Sequence, residues 1–290
     1  MRTRMLPSEH EVPQLVPGPG SVTWRRATDA RTFLAAGYAL LLQVAHPTVG
    51  AGVRDHSDYR EDPWGRLLRT LDFTNALIYA EPPLAAAVAR GVRARHRRIR
   101  GLREDGSRYH ALEPDAYAWV WATLFAAIAA AHDRFGAPLR AEERARFWLE
   151  WRRLGRLLGV REVDLPATLA GFEDYFAATV AGTLTDNETV QGVLLSLRRP
   201  ATPPLPRYAL AAWLLGRGPA TRAVQLATAG LLTPGLRERF ALRWTPAQQL
   251  ELGALAHLLR AAAPLTPAPL RVMGPAYLRW RHEHALALAA

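Results

Sequence analysis

The sequence has no cysteine. Disulfides, thiolate metal ligands and thioether attachment of a cofactor through a C-x-x-C-H motif are therefore excluded. Lysine is absent as well, so all 37 basic residues are arginine, and asparagine occurs only at positions 75 and 187. That skew, with abundant Ala, Leu, Pro and Gly, is what GC-rich codons produce. The formal charge of +11 is correspondingly weak evidence for a polyanionic partner. The longest apolar stretches, Phe33 to Ala45 and Ala116 to Ala131, fall short of the roughly 20 residues a spanning helix needs. No apolar run follows the N-terminal arginines, so no export signal is read and a cytoplasmic location is expected. No run alternates apolar and polar residues for long enough to predict a sheet.

What is present reads as helix. The 290 residues are 49% hydrophobic, enough for a sizeable core. Residues 1–22 carry no periodic apolar face and read as a flexible N-terminal segment, and 23–290 as one all-α globular domain. Asp62-Pro63 places an N-cap before a first-turn proline and predicts a helix to about Ala80. Pro82-Pro83 opens another, with Ala85, Val88, Val92 and Ile99 on one face, that stops at Gly101. Pro114-Asp115 starts a nearly all-apolar, hence buried, helix to Phe135-Gly136. An amphipathic helix spans 141–158. Further segments are predicted near 168–182, 186–197, 205–215 and 219–231. A capping box opens the next at Thr245 to Gln248, and a last helix starts at about Pro269. RRPATPPLPR (198–207) is linker-like but too short to divide domains.

The segment RGVRARHRRIRG (90–101) is the densest in charge. On a continuous helix, Arg93, His96 and Arg100 form one column, with Val92 and Ile99 beside it. One reading is a solvated basic face with a histidine at its edge. Another is a haem-facing wall, with imidazole for iron and guanidinium forks for propionates. Nucleic acid is disfavoured because no aromatics interleave the arginines. On the preceding helix Arg66, Thr70, Phe73 and Leu77 share a face, a polar pair at the mouth of an apolar stripe. Taken alone, that pair is also what an ordinary charged first turn looks like. His46 before Pro47 and His56 in a polar turn are secondary candidates, each equally explained as a structural histidine.

Several segments occur together and in order: LLLQVAHPTVGAGVRDHSDYREDPWGRLLRT (40–70), RARHRRIRG, YAWVWATLFA, WRRLGRLLGV and LPATLAGFEDYF. Together they resemble the family of rubber oxygenases (latex-clearing proteins) and MpaB-type oxygenases. The likeness is good over residues 30–180 and loose beyond. It implies a helical fold around one non-covalent haem b. In the family's rubber oxygenases the histidine of an R-x-x-H-x-x-x-R arrangement is the axial ligand. Arg93, His96 and Arg100 match that arrangement, which gives His96 the iron and the two arginines the propionates. An arginine and a threonine four apart lie beside the haem in the family, matched here by Arg66 and Thr70 as catalytic groups.

Two departures bear on this. Where some rubber oxygenases carry a lysine able to cap the iron, this chain has Arg69, whose guanidinium is a very poor ligand. Many relatives have histidine where this chain has Trp121. The chain also lacks the export signal of secreted rubber oxygenases and is shorter. The expectation is a haem-b-dependent oxygenase using dioxygen on a small, hydrophobic, unsaturated substrate, with no nucleic-acid partner. The alternatives are a haem carrier or sensor without turnover, and a helical protein whose haem site has decayed.

Overall fold

The computed structural model describes residues 6–27, 29–203, 207–267, 274–275 and 277–279. Short helices α1 (Val12–Leu15) and α2 (Val22–Arg26) lead through a 3-10 turn at Ala30–Ala35 into α3 (Ala36–Val44) and α4 (Pro47–His56). Next come α5 (Pro63–Tyr79) and α6 (Pro82–His96), then strands β1 (Arg100–Leu102) and β2 (Arg108–His110). The remaining helices are α7 (Pro114–Phe135), α8 (Ala141–Gly155), α9 (Leu169–Gly182), α10 (Glu188–Arg198), α11 (Arg207–Leu231), α12 (Pro234–Arg239) and α13 (Pro246–Ala262). The fold is mainly α, as expected. The helix expected from Pro269 falls largely outside the described residues.

Proline explains much of the punctuation. It occupies the first turn of α4, α5, α6, α7, α12 and α13, where the missing N–H leaves no bond unmade. Side chains of Ser21, Thr168, Asn187 and Thr233 cap α2, α9, α10 and α12. Thr245 and Gln248 form the expected capping box, each side chain accepting from the other's backbone.

The core falls into two clusters that share α7. Tyr117, Ala118, Trp121, Ala122 and Phe125 face the first, with Leu77 and Ile78 of α5, Ala85 and Ala89 of α6, and Trp148 and Trp151 of α8. Trp119, Ala127, Ala131 and Phe135 face the second, with Leu41 and Leu42 of α3 and Leu226 and Ala227 of α11. An all-round apolar helix is what such a shared wall requires, and each large side chain buried there is worth about 1.5–3 kcal/mol. Tyr175 and Phe176 of α9 pack against both clusters. Trp121 and Trp151 stack at 4.5 Å, and each indole N–H donates to the other's backbone carbonyl, at 2.9 and 3.0 Å.

Three expectations need correction. The helix from Pro82 ends at His96 and not at Gly101, because the chain turns into a two-stranded antiparallel ribbon that pairs Arg100 with His110 and Gly101 with Tyr109. Gly101 is needed there, since a Cβ would lie 2.9 Å from the Tyr109 ring and from the Asp55 carboxylate. The segment 1–22 is not wholly outside the packed body. Val12 and Leu15, one turn apart, and Val22 are buried in the first cluster. Finally, α11 runs unbroken through Pro219, where two segments were expected.

Candidate functional site

The α5–α6 hairpin builds the site. Asp62 caps α5 by accepting from the Gly65 N–H at 2.8 Å, and Pro63 fixes the first turn. Only two residues separate α5 from α6, so the helices run antiparallel and pack along each other. At 1.5 Å per residue, Arg66 and His96 both lie about 21–23 Å from that connection, at the same end of the hairpin. Along α5 the expected stripe is seen as a gradient of burial. Arg66 and Thr70 are half-buried, Phe73 packs on the first cluster, and Leu77 is fully enclosed in it. The stripe therefore runs from the first core to its rim.

At that rim His96 ends α6, half-buried, with its Nδ1 2.8 Å from the Val92 carbonyl. A carbonyl can only accept, so Nδ1 carries the proton and Nε2 presents its lone pair. Burial pushes the imidazole below its ordinary pKa, and the Arg95 charge adds to that, while the Val92 carbonyl opposes both. Burial thus favours the neutral imidazole over the charged one. Its ring meets the edge of Tyr117 at 5.7 Å. The Tyr117 hydroxyl donates to the Leu158 carbonyl at 3.1 Å, and the buried Arg93 guanidinium reaches the same carbonyl at 3.5 Å. Gly159 follows with φ of +80°, and a Cβ there would lie 2.6 Å from Arg93 Nη1. Tyr117 and the Leu158 turn were not singled out from sequence. Tyr117 opens the quoted YAWVWATLFA segment, but nothing local in the sequence joins it to His96.

The structure separates Arg100 from this group. It lies on β1, exposed, and its carbonyl faces His56 Nε2 at 3.2 Å. The expected column on a single helix face therefore holds for Arg93 and His96 but not for Arg100. His56 is bound up with the ribbon.

Arg66 makes no ion pair among the described residues. Burial lowers its guanidinium pKa, with the Asp58 charge working against that. Thr70 Oγ1 donates back to the Arg66 carbonyl at 3.0 Å. Arg69 points away, exposed and bound to Asp58 at 2.7 Å and Asp62 at 3.3 Å.

His46 is a different site. It sits at the N-cap of α4, 5% exposed, with Nε2 3.8 Å from Asp115 and a buried Nδ1 that has no hydrogen-bond partner. Burial depresses its pKa, while Asp115 and Glu113 oppose this. Nearby Glu113 accepts from Thr48, from Arg103 and from the His110 backbone, tying the ribbon to α4 and α7. His132 is buried against the Arg26 carbonyl at 2.9 Å.

Two shallow clefts open on the surface. One, of about 200 Å³, is lined by Pro47, Arg54, Arg103 and Asn187 among others, and the other, of about 320 Å³, by Asp29, Arg31 and Leu259. Neither is lined by His96, Arg66 or Thr70. Among the described residues no group of three His, Asp or Glu side chains could hold a metal ion. An imidazole with Nδ1–H fixed on a backbone carbonyl, its Nε2 lone pair in no hydrogen bond among the described residues, and a buried guanidinium one turn away suit a group that brings four donors and its own carboxylates. The residues present fit haem in that respect.

A mainly helical chain with this hairpin site defines a class, and sequence comparison names it. Residues 24–261 match the family described as ER-bound oxygenase mpaB/B′ and rubber oxygenase, catalytic domain. The chain belongs to this family. No curated protein and no solved structure matches it.

Proposed function

We propose that the chain is a haem-b-dependent oxygenase that uses dioxygen on a small, hydrophobic, unsaturated substrate. The observation that carries this reading is His96: neutral, with Nδ1–H fixed on the Val92 carbonyl and Nε2 left with a lone pair. Family membership supplies the oxygenase frame. His96 would hold the haem iron, and Arg93 would anchor a propionate. The bound haem would supply the redox chemistry that activates dioxygen.

The chain's own groups divide the remaining work. Arg93, already committed towards the Leu158 carbonyl, holds a positive charge one turn before His96. Arg66 offers a partly desolvated cation that forms no ion pair among the described residues, suited to charge developing on oxygen. Thr70 keeps its hydroxyl at the same level. Phe73, partly buried where the stripe meets the rim of the first cluster, would position an alkene, with Leu77 packed beneath it in the core.

The test is the absorption spectrum of protein expressed with ample haem, followed by oxygen uptake with a lipophilic alkene. A Soret band fully removed by acid–butanone, with alkene-dependent uptake that Arg66→Ala or Thr70→Ala abolishes while the band remains, is expected. A band without uptake makes the protein a carrier or sensor. No band after reconstitution overturns the haem reading.

A further inference from the structure

The two halves of α11 differ. The C-terminal half is built in, with Leu226, Ala227 and Thr228 buried against α3 and its neighbours. In the N-terminal half Leu210, Leu214 and Leu215 are 40%, 49% and 84% exposed, and residues 214–220 are exposed throughout. Its ring contact is Trp213 against Trp64 at 6.2 Å, at the start of α5. Between the halves lies Gly216-Arg217-Gly218-Pro219. Pro219 has no N–H to return to the Leu215 carbonyl, so the helix is weakest there.

Along the chain, charge through this half is of one sign. No acidic residue occurs between Glu188 and Glu238, an interval that contains six arginines. Arg198, Arg199 and Arg217 are exposed and make no ion pair among the described residues. The chain after Arg198 runs beside α11, since Gln225 donates to the Leu197 carbonyl at 3.2 Å and Trp64 to the Ala201 carbonyl at 2.8 Å. The arginines therefore flank the leucines at mid-helix.

We propose that the N-terminal half of α11 docks on the surface of an anionic lipid bilayer, with Leu210, Leu214 and Leu215 in the acyl boundary and Arg198, Arg199 and Arg217 on the headgroups. Exposed leucines on α11 with cations beside them, Arg217 on the same helix and Arg198 and Arg199 at the end of α10, are what an interfacial helix needs. A second copy of this chain would set arginines against arginines across a two-fold axis, and a polyanion such as nucleic acid would leave the leucines in water. Crossing the bilayer is not implied. No single described helix is long and apolar enough. The bent pair Ala30–Val44 and Pro47–His56, which passes by length and composition, turns by 103° at its break. The docking concerns the surface alone and does not require the haem reading.

The experiment is flotation of the full chain with phosphatidylcholine vesicles, with and without about 30% phosphatidylserine. Binding should need the anionic lipid and weaken in high salt. Neutralising Arg198→Gln, Arg199→Gln and Arg217→Gln together should reduce affinity by roughly a hundredfold or more. Leu214→Asp with Leu215→Asp should abolish flotation at unchanged melting temperature, whereas Leu250→Asp, 75% exposed on α13, should float as wild type. No flotation with anionic vesicles, or equal loss in the Leu250 variant, overturns the proposal. A dimer in sedimentation that the Leu214/Leu215 variant breaks, without vesicle binding, assigns the face to a second copy.

Discussion

His46 and His96 both have imidazoles held below the ordinary pKa by burial, yet only His96 has a ring nitrogen bonded to the carbonyl one turn back. The difference lies in which end of a helix each occupies. His96 closes α6, where its ring folds back over the preceding turn and finds the Val92 carbonyl, which fixes the proton on Nδ1. His46 opens α4, where the backbone offers N–H groups and no acceptor, and its Nδ1 is left without a partner. Its other nitrogen lies 3.8 Å from the Asp115 carboxylate, which opposes but does not outweigh burial. Two histidines in matched family segments thus differ in whether a backbone acceptor fixes the ring proton.

The largest expected effect tests that contrast directly. His96→Ala should weaken haem binding by more than about a hundredfold, beyond what loss of an outer-shell partner does, whereas His46→Ala should keep the Soret band. Reversal of the two spectra would move the ligand to His46. Next, Arg93→Ala should lower haem affinity by roughly ten- to a hundredfold through loss of a charge-assisted bond. Titration of apoprotein with haem measures it, and an unchanged affinity would take Arg93 off the propionates.

Backbone support for Arg93 comes third. Gly159→Ala puts a methyl into a left-handed residue and against Arg93 Nη1, and should cost about 1–2 kcal/mol by denaturant unfolding. A neutral result would show that the Leu158 turn does not hold that guanidinium.

The pH dependence is smaller. A histidine whose folded pKa is depressed binds fewer protons folded than unfolded, so apoprotein stability should fall as pH drops through the ordinary value of 6.5, and level off below the depressed one. His96→Ala should make that fall shallower. Equal slopes would mean that His96 is not held neutral. The smallest effect belongs to Arg100→Ala, exposed on β1, which should change stability by no more than about 0.5 kcal/mol and leave haem affinity intact. Should it instead match Arg93→Ala, the ribbon and not the helix carries the second anchor.

The sequence made the helices legible because their ends are written in proline and in capping side chains, as at Asp62-Pro63 and Thr245 to Gln248. The stripe of Arg66, Thr70, Phe73 and Leu77 was legible for the same local reason, its period of 3.6. Arg100 was misplaced because helix propensity in an arginine run says nothing of a ribbon. That ribbon depends on Tyr109 and Asp55, one of them 46 residues away, packing over Gly101. Tyr117 and the Leu158 carbonyl were invisible because their link to Arg93 and His96 exists only once α6, α7 and the end of α8 are packed together. The proton on Nδ1 was likewise a matter of where the helix stops.

The wall formed by α7 has a consequence for how the molecule opens. Since Trp119 and Trp121, two residues apart, belong to different cores, neither core can come undone while the other keeps that helix in place. The two should melt as one cooperative unit, and the amides of α7 should exchange with deuterium only through global unfolding. In a hydrogen-exchange time course they would be the last to label, long after those in the first half of α11.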